Sequence, residues 1–589
     1  MHRYKAGSLP AALSGLKAVT TESGDVRFVA YGQSYANGTA YNEKLATNPR
    51  SSARIYDSIY VRHWDTWITT KFNSVFSGNL KAHGKGASQY ALKGSIQNLV
   101  SNIKNAESPY PPYGDATDYD LSPDGKWVAF KSKAPDVPRA NFTTSYIYLA
   151  PHDGSQKAFA INGRDSPAKP DGIDGDSSYP AFSPDSKKLA YFQMKGNSYE
   201  SDRRILYVYH IGSNKTVQTI AKNWDRSPEA VEWTADGKEL VVNGEDYARS
   251  RLFSLPADAG NDFKPKNFTD GGAVSAYYQL PDSTWLVTDT TLWSSWNVYI
   301  ASPSEGVIKT LASASQIDPE LKGLSASDID EFYYKGNWTD VSLLILFGPL
   351  LILTDIVRSI PGSSTPQAST RAKPIPFYSI STAVLNLPGR TPGVPDGMPK
   401  SLRTRDMSLW HQTQLAAPVL ARNLQTLFKT TGVCSVLPWL SSISLDQALT
   451  AVIGGSPYDD LVKCWEYARD NLSFVDTENG VAAGASYGAF MINWIQGNPL
   501  GREFKALVSH DGPFFGDSRY NTDELWFVQH DVCISHLQHP HFLWLPSFKI
   551  WLTIEEQWYN LGKPRELLPL RHIRCRAHPS IFHADAGYP

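Results

Sequence analysis

Cysteine is scarce, with 4 among 589 residues, which excludes a disulfide framework. No two cysteines have C-x-x-C spacing, so neither a zinc ribbon nor a thioredoxin-like site is expected. No charge of one sign prevails either. Lys and Arg number 56 against 58 Asp and Glu, a net −2. That balance removes any whole-chain case for nucleic acid or an anionic membrane surface as partner. Long apolar runs are missing. The longest, Val341 to Leu353, is broken by Gly348 and Pro349 and falls short of the roughly 20 residues a spanning helix needs. The opening Met1-His-Arg-Tyr-Lys-Ala-Gly-Ser-Leu-Pro10 lacks the apolar stretch of about 7–15 residues that marks a signal peptide. Met is low at 5, whereas 17 Trp and 30 Tyr point to a β-rich protein packed with aromatics. With 41% hydrophobic and 19% charged residues the chain is a folded one, long enough for two or three domains.

One pattern recurs through the first 340 residues: a strand, a tight turn containing Asp, and a second strand. It reads Tyr119-Asp-Leu-Ser-Pro-Asp124-Gly-Lys-Trp-Val-Ala-Phe130 and returns as Ala181-Phe-Ser-Pro-Asp185-Ser-Lys-Lys-Leu-Ala-Tyr191. A third copy is Val231-Glu-Trp-Thr-Ala-Asp236-Gly-Lys-Glu-Leu-Val-Val242, and a weaker fourth is Tyr278-Gln-Leu-Pro-Asp282-Ser-Thr-Trp-Leu-Val287. The turn Asp residues are 61, 51 and 46 residues apart. Each copy is followed by a further strand: Tyr146–Leu149, Ile205–Tyr209, Leu252–Leu255 and Trp296–Ile300. Period-two alternation implies half-buried strands. The turn residues act through an Asx hydrogen bond and a position tolerant of φ > 0, so Asp124 and Asp185 cap turns and bind no ligand. Repeats of about 40–50 residues with four strands each are the signature of a β-propeller. Val26-Arg-Phe-Val-Ala-Tyr31 with Ser58-Ile-Tyr-Val-Arg62 reads as part of another blade, for about five in all, and the ring is incomplete.

The character changes near residue 453. Ser456 to Leu472 reads as a helix with Ser456 as N-cap, Pro457 in the first turn and Asp459 and Asp460 at the positive end of the dipole. Leu461, Cys464, Trp465, Ala468 and Leu472 share one face, so Cys464 is a core residue. Next comes Gly480-Val-Ala-Ala-Gly484-Ala-Ser486-Tyr-Gly488-Ala-Phe-Met-Ile-Asn-Trp-Ile495. An apolar strand runs into Gly-x-Ser-x-Gly and an apolar helix leaves it. A serine hydroxyl is a weak nucleophile and must be held at a sharp strand-to-helix turn within reach of a base. Ser486 is the candidate nucleophile, and the Tyr487 N–H the candidate oxyanion donor. Lys505 to Ser509 reads as the next parallel strand. A dinucleotide-binding turn would need a second glycine fingerprint and a spaced acidic residue, and neither is present.

A propeller followed by such a domain resembles the prolyl oligopeptidase family of serine peptidases. Ile59-Tyr-Val-Arg-His-Trp-Asp65, Val481-Ala-Ala-Gly-Ala-Ser-Tyr-Gly488 and Ala506-Leu-Val-Ser-His-Asp-Gly512 resemble the secreted fungal dipeptidyl-peptidase V members of that family. The resemblance covers roughly residues 4–341 and 446–531. It implies removal of dipeptides from peptides with free N-termini through a Ser-Asp-His triad, with no cofactor, and secretion. It carries Ser486 over as the nucleophile, with Tyr487 as an oxyanion donor. The expected organisation is a β-propeller over 1–340 with its first blades missing, an atypical segment over 341–452, an α/β-hydrolase core over 453–531 and an atypical tail over 532–589.

Three departures from the family matter. The signal peptide and opening blades of the family are expected to be missing from this sequence. Residues 342–445 do not resemble it, and they occupy the place of a strand ending Phe-Tyr-Ile-His-Gly-Gly-Pro. Reading Tyr378 to Leu385 with a shifted frame permits that sequence, so a frame shift near Val341 is expected, with 342–445 and 532–589 loosely packed. Residues 532–589 replace the region of the triad Asp and His, neither of which is identifiable. His510 follows a strand end beside Asp511 and is not the triad base of the family. His536, His539 and His541 lie in a Trp- and Leu-rich tail where no zinc site is expected, and Asp585 is four residues from the end.

The leading expectation is therefore a serine-type dipeptidyl-peptidase whose chain, as written, turns over substrate barely or not at all. The alternatives are a catalytically dead propeller and hydrolase remnant with at most peptide binding, and a lipase or esterase using the same elbow. Asn-x-Ser/Thr sequons stand at Asn37, Asn141, Asn214, Asn267, Asn337 and Asn471. Five of the six precede residue 340, which favours a glycosylated, secreted first part.

Overall fold

The computed structural model describes residues 5–46, 53–56, 59–64, 66–83, 89–164, 166, 174–197, 202–212, 215–247, 249–269, 271–291, 293–319, 334–335, 340–341, 343–346, 375–382, 435–438, 456–473, 475–485, 487–510 and 524–526. The first part is five consecutive four-stranded antiparallel sheets. The first joins β1 (Ser14–Thr20), β2 (Val26–Ser34), β5 (Phe72–Ala82) and β6 (Tyr90–Asn98), and between them runs a small hairpin of β3 (Arg62–His63) and β4 (Thr66–Trp67). The second holds β7 (Tyr119–Leu121), β8 (Trp127–Lys133), β9 (Ser145–Pro151) and β10 (Phe159–Ala160). The third holds β11 (Ser177–Phe182), β12 (Lys188–Met194), β13 (Arg204–His210) and β14 (Val217–Ile220). The fourth holds β15 (Pro228–Trp233), β16 (Glu239–Asp246), β17 (Arg249–Pro256) and β18 (Lys266–Asn267). The fifth holds β19 (Ala273–Gln279), β20 (Trp285–Thr290), β21 (Asn297–Ser302) and β22 (Gly306–Ser313), and the single turn α1 (Ala314–Ile317) follows it.

The repeated turns form as the sequence predicts. At the first, Asp124 Oδ1 accepts from Ser122 Oγ at 2.7 Å and from the Lys126 N–H at 2.9 Å, and Gly125 takes φ 72°. Asp185 repeats this with Ser183 Oγ at 2.6 Å and the Lys187 N–H at 3.1 Å. Here Ser186 takes φ 59°, and at the fourth turn Ser283 takes φ 65°, the left-handed backbone that Gly takes at the first and third. Asp236 does the same with Thr234 and Lys238, and Asp282 with Thr284.

Each sheet packs its face on the next, and side-chain parity decides which neighbour a residue meets. In β9, Tyr146, Tyr148 and Ala150 face the first sheet, while Ile147 and Leu149 face the third. In β12, Leu189 and Tyr191 face the second sheet, and Ala190 and Phe192 the fourth. The inner strands are thus buried on both faces, and the expectation of half-buried strands is corrected: β9 is buried from Ser145 to Ala150. A layer covered on both sides selects apolar residues at both parities. Phe130 stacks on Tyr148 and Tyr191 on Tyr207, each at 5.5 Å. Full burial of one such ring contributes about 2–3 kcal/mol.

The first sheet differs from expectation. The partner of β2 is β5, with Val29 opposite Ser77, and not the segment 58–62. The β5 strand carries polar residues that disguise it. Ser74 is buried and shares a 2.9 Å hydrogen bond with Ser34, so small hydroxyls stand where apolar residues signal a strand elsewhere.

The later part contains the short pairs β23 (Tyr334–Lys335) with β24 (Asp340–Val341) and β25 (Leu343–Leu346) with β27 (Ser435–Pro438). Its main feature is a parallel sheet in the order β26 (Ile375–Thr382), β28 (Val475–Ala485), β29 (Ala506–His510). Two helices accompany it, α2 (Ser456–Asn471) and α3 (Tyr487–Gln496). The helical backbone already includes Ser456, so Ser456 is not the expected flanking N-cap residue. Most of 341–452 and all of 532–589 lie outside the described residues, and with them the expectations of a shifted frame and loose packing. Within 341–452, β26 pairs in parallel with β28 and includes Tyr378 to Thr382, part of the segment read with a shifted frame.

Candidate active site

Small residues build the centre of the parallel sheet. In β28, Gly480, Val481, Ala482, Ala483 and Gly484 let helices lie close against the strand, and Ala482 is fully buried. One face of α2, with Leu461, Cys464, Trp465 and Ala468, meets Val475 and Ala482 of β28 and Met491, Ile492 and Ile495 of α3. These are the residues whose spacing predicted the face. Burial pushes the Cys464 thiol well above its ordinary range, and the residue is 2% exposed, so it is a packing residue. Trp465 packs against Phe504 with tilted rings 4.7 Å apart, and the Lys505 N–H donates to the Gly480 carbonyl at 2.8 Å. These contacts return the chain from α3 into β29.

The turn of interest is extremely short. The strand β28 ends at Ala485 and α3 begins at Tyr487, so one residue, Ser486, joins strand to helix. Ser486 itself lies outside the described residues. The first N–H groups of a helix have no partner within it and sit at the positive end of the dipole. The backbone N–H of Tyr487 is the first of these. The backbone flanking Ser486 thus has the form a nucleophile elbow needs: a parallel central strand, one residue, and a helix N-terminus.

Among the described residues no complete triad is placed. His510 ends β29 and is exposed, paired in register with Ala485. Asp511, His530, His536, His539, His541, His572, His578, His583 and Asp585 lie outside the described residues. Among the described residues no group of three His, Cys, Asp or Glu stands where it could hold a metal, and no helix is long and apolar enough to cross a membrane.

A second cluster had no local signal in the sequence. Glu524 Oε1 accepts from His63 Nε2 at 2.9 Å and from Trp64 Nε1 at 2.9 Å, across more than 450 residues of chain. An ionised carboxylate only accepts, so His63 carries its hydrogen on Nε2. His63 lies on Tyr60 at 4.7 Å, and Trp64 meets Tyr113 edge-on at 4.6 Å. Trp526, 4% exposed, packs with Tyr60 and Ala140. The hairpin of β3 and β4 therefore docks on residues 524–526, which follow the parallel sheet in sequence.

Of the sequons, Asn37 and Asn267 are exposed, each accepting through Oδ1 from the N–H and Oγ1 of the Thr two residues on. Asn471 is exposed at the end of α2 and Asn141 is half-buried, whereas Asn214 and Asn337 lie outside the described residues.

The sequence profile of the prolyl oligopeptidase family matches residues 442–536. A probable dipeptidyl-peptidase 5 of Aspergillus clavatus is 58% identical over 533 residues, 90% of this chain and 67% of that protein. The dipeptidyl-peptidase 5 of Aspergillus fumigatus is 58% identical over 532 residues, 90% of this chain and 68% of that protein. Among solved structures, an acylaminoacyl peptidase in complex with Z-Gly-Gly-Phe-chloromethyl ketone superposes with TM-score 0.55 at 14% identity, covering 89% of this chain and 67% of that one. This last likeness is one of fold alone.

Proposed function

The chain belongs to the prolyl oligopeptidase family of serine peptidases, and from that premise we propose that it is a serine-type dipeptidyl-peptidase acting at Ser486. The carrying observation is the single-residue link between β28 and α3, occupied by the serine of Gly484-Ala-Ser486-Tyr-Gly488. In this reading the Ser486 hydroxyl attacks the peptide carbonyl and the leaving amine departs, giving an acyl-enzyme that water then hydrolyses. The Tyr487 N–H donates to the oxyanion at the helix N-terminus. Substrates are peptides with free N-termini, and no cofactor takes part. The five antiparallel sheets are blades of a propeller spanning 1–340, the hydrolase core spans 453–531, and 341–452 and 532–589 are atypical segments. Secretion accords with exposed sequons at Asn37, Asn267 and Asn471, with Asn141, Asn214 and Asn337 as further acceptors.

The test is labelling with a fluorophosphonate probe beside a Ser486→Ala control, followed by release of a dipeptide chromophore. Labelling that disappears with Ser486→Ala supports the assignment. Equal labelling of both, or of neither, would refute it. Turnover no greater than the control, with Ser486 labelled, marks an elbow whose base is missing. Losing that base costs on the order of 10⁴–10⁶ in kcat.

A further inference from the structure

Between the third and fourth sheets lies a small cavity whose buried apolar floor includes Leu206, Ile220, Val242 and Leu255. It encloses about 10 Å³, the room of one water. Anything larger that it recognises therefore sits at its mouth. The half-buried Arg203, Arg204 and Arg226 line it as well. These three cations differ in what answers their charge. Arg226 is spent on Asp225 and Asp246, each at 2.8 Å. Arg203 Nη1 donates to the Trp224 carbonyl at 2.7 Å, which fixes the guanidinium without neutralising it. Among the described residues no carboxylate pairs with Arg203 or Arg204, and the Arg204 guanidinium donates no hydrogen bond. Asp202, beside them in sequence, turns its carboxylate to the backbone N–H groups of Gly196 and Arg203, each at 2.7 Å. Lys131, already held by Asp176 at 3.0 Å, feels the Arg204 charge as a repulsion.

Two neighbouring guanidinium groups with open donors suit a carboxylate, because each offers parallel N–H groups to its oxygens. The topology points to where that carboxylate comes from. The connector from β8 to β9 and the connector from β12 to β13 are joined, since the Thr143 N–H donates to the Asn197 carbonyl at 3.0 Å. Ala140 of the first connector packs with Trp526, and Arg203 and Arg204 end the second. The two arginines thus stand on the side of the sheets that residues 524–526 touch. A peptide held against the hydrolase part has its far end on this side.

We propose that Arg203 and Arg204, at the mouth of the cavity between the third and fourth sheets, receive a carboxylate of the peptide substrate. The proposal rests on the reading of the chain as a peptidase and adds a carboxylate preference to it. It makes Arg203 and Arg204 specificity-determining residues with no part in bond breaking.

Binding is read by calorimetry on the full chain carrying Ser486→Ala, which stops turnover. The probes are alanyl-alanyl-alanyl-leucine, its C-terminal amide, and alanyl-alanyl-glutamyl-leucine amide, whose carboxylate is on a side chain. The free acid is expected to bind on the order of 10-fold more tightly than the plain amide. A glutamyl amide that binds like the acid assigns side-chain carboxylates to the site as well. One that binds like the plain amide assigns the C-terminal carboxylate, and either result supports the site. Arg204→Gln breaks no hydrogen bond of its side chain among the described residues and should remove most of the preference, and Arg203→Gln with it should remove the rest. Lys222→Gln, which deletes an exposed charge nearby, should leave the preference unchanged. Equal affinity for all three peptides, or binding of none, overturns the proposal and needs no arginine variant. A preference that survives Arg204→Gln, or that Lys222→Gln reduces equally, overturns it too. Fluorophosphonate labelling of the parent chain separates this site from the nucleophile. Labelling of Ser486 without carboxylate preference sinks the site alone, whereas carboxylate preference without labelling sinks the nucleophile alone.

Discussion

Asp120 on β7 and Phe182 on β11 are joined by one hydrogen bond, in which Asp120 Oδ2 accepts from the Phe182 backbone N–H at 2.9 Å. The same carboxylate lies 3.3 Å from Lys17 Nζ on β1. One side chain therefore links three successive sheets through their first strands. Asp120→Ala leaves the Phe182 N–H without its acceptor and should destabilise by about 1–3 kcal/mol. Lys17→Ala removes a partly exposed ion pair and the 2.6 Å donation from Lys17 Nζ to the Tyr119 carbonyl, and should cost about 0.5–1 kcal/mol, less than Asp120→Ala. Thermal melts of both variants check the order, and a Lys17 effect as large as that of Asp120 would contradict it.

The Asp turns give a second expectation. Although burial opposes it, the Ser183 hydroxyl, the Lys187 N–H and the Lys187 and Lys188 charges hold Asp185 below the usual carboxylate range. A depressed acid stabilises above its unfolded pKa, and that stability disappears as pH falls through the folded value. Asp185→Ala should cost about 0.5–1.5 kcal/mol at neutral pH. The difference from the parent should begin to shrink below roughly pH 4, the unfolded carboxylate value, and be lost only as pH falls through the lower folded value. Melting curves at several pH values read this directly.

Asp118 has the opposite sign. Burial pushes its carboxyl up to about 6, against the pull of Lys131 and the Tyr110 N–H. A raised acid contributes stability that is fully present below its unfolded pKa of 3.8 and is lost as pH rises through about 6. Asp118→Asn stays neutral throughout and keeps an acceptor for Tyr110. Relative to the parent it should gain on the order of 1–3 kcal/mol between pH 4 and pH 7. A constant difference across that window would show that Asp118 does not titrate there.

The hydrolase part supplies a fourth. Cys464 is sealed between α2 and β28, so iodoacetamide should leave it unmodified in the native protein and alkylate it in denaturant. Peptide mass mapping locates the adduct. Trp465→Ala should open a cavity costing about 3–5 kcal/mol and expose Cys464 to the reagent.

What the sequence determined by itself is whatever depends on neighbours along the chain. The Asp turns were legible because Ser122, Asp124, Gly125 and Lys126 bond to one another within five residues. The face of α2 was legible because helical periodicity places Leu461, Cys464, Trp465 and Ala468 together whatever they pack against. The strand and helix flanking Ser486 were legible for the same reason, since both are contiguous in Gly480 to Ile495. Tertiary structure decided the rest. It paired β2 with β5 across a 37-residue excursion, because register and the buried hydroxyls of Ser34 and Ser74 matter there more than apolar pattern. It buried both faces of the inner strands, because sheets stack on either side of them. It brought Glu524 to His63 and Trp64, a meeting that no local periodicity encodes, because a hydrogen bond across 461 residues exists only once both parts have folded.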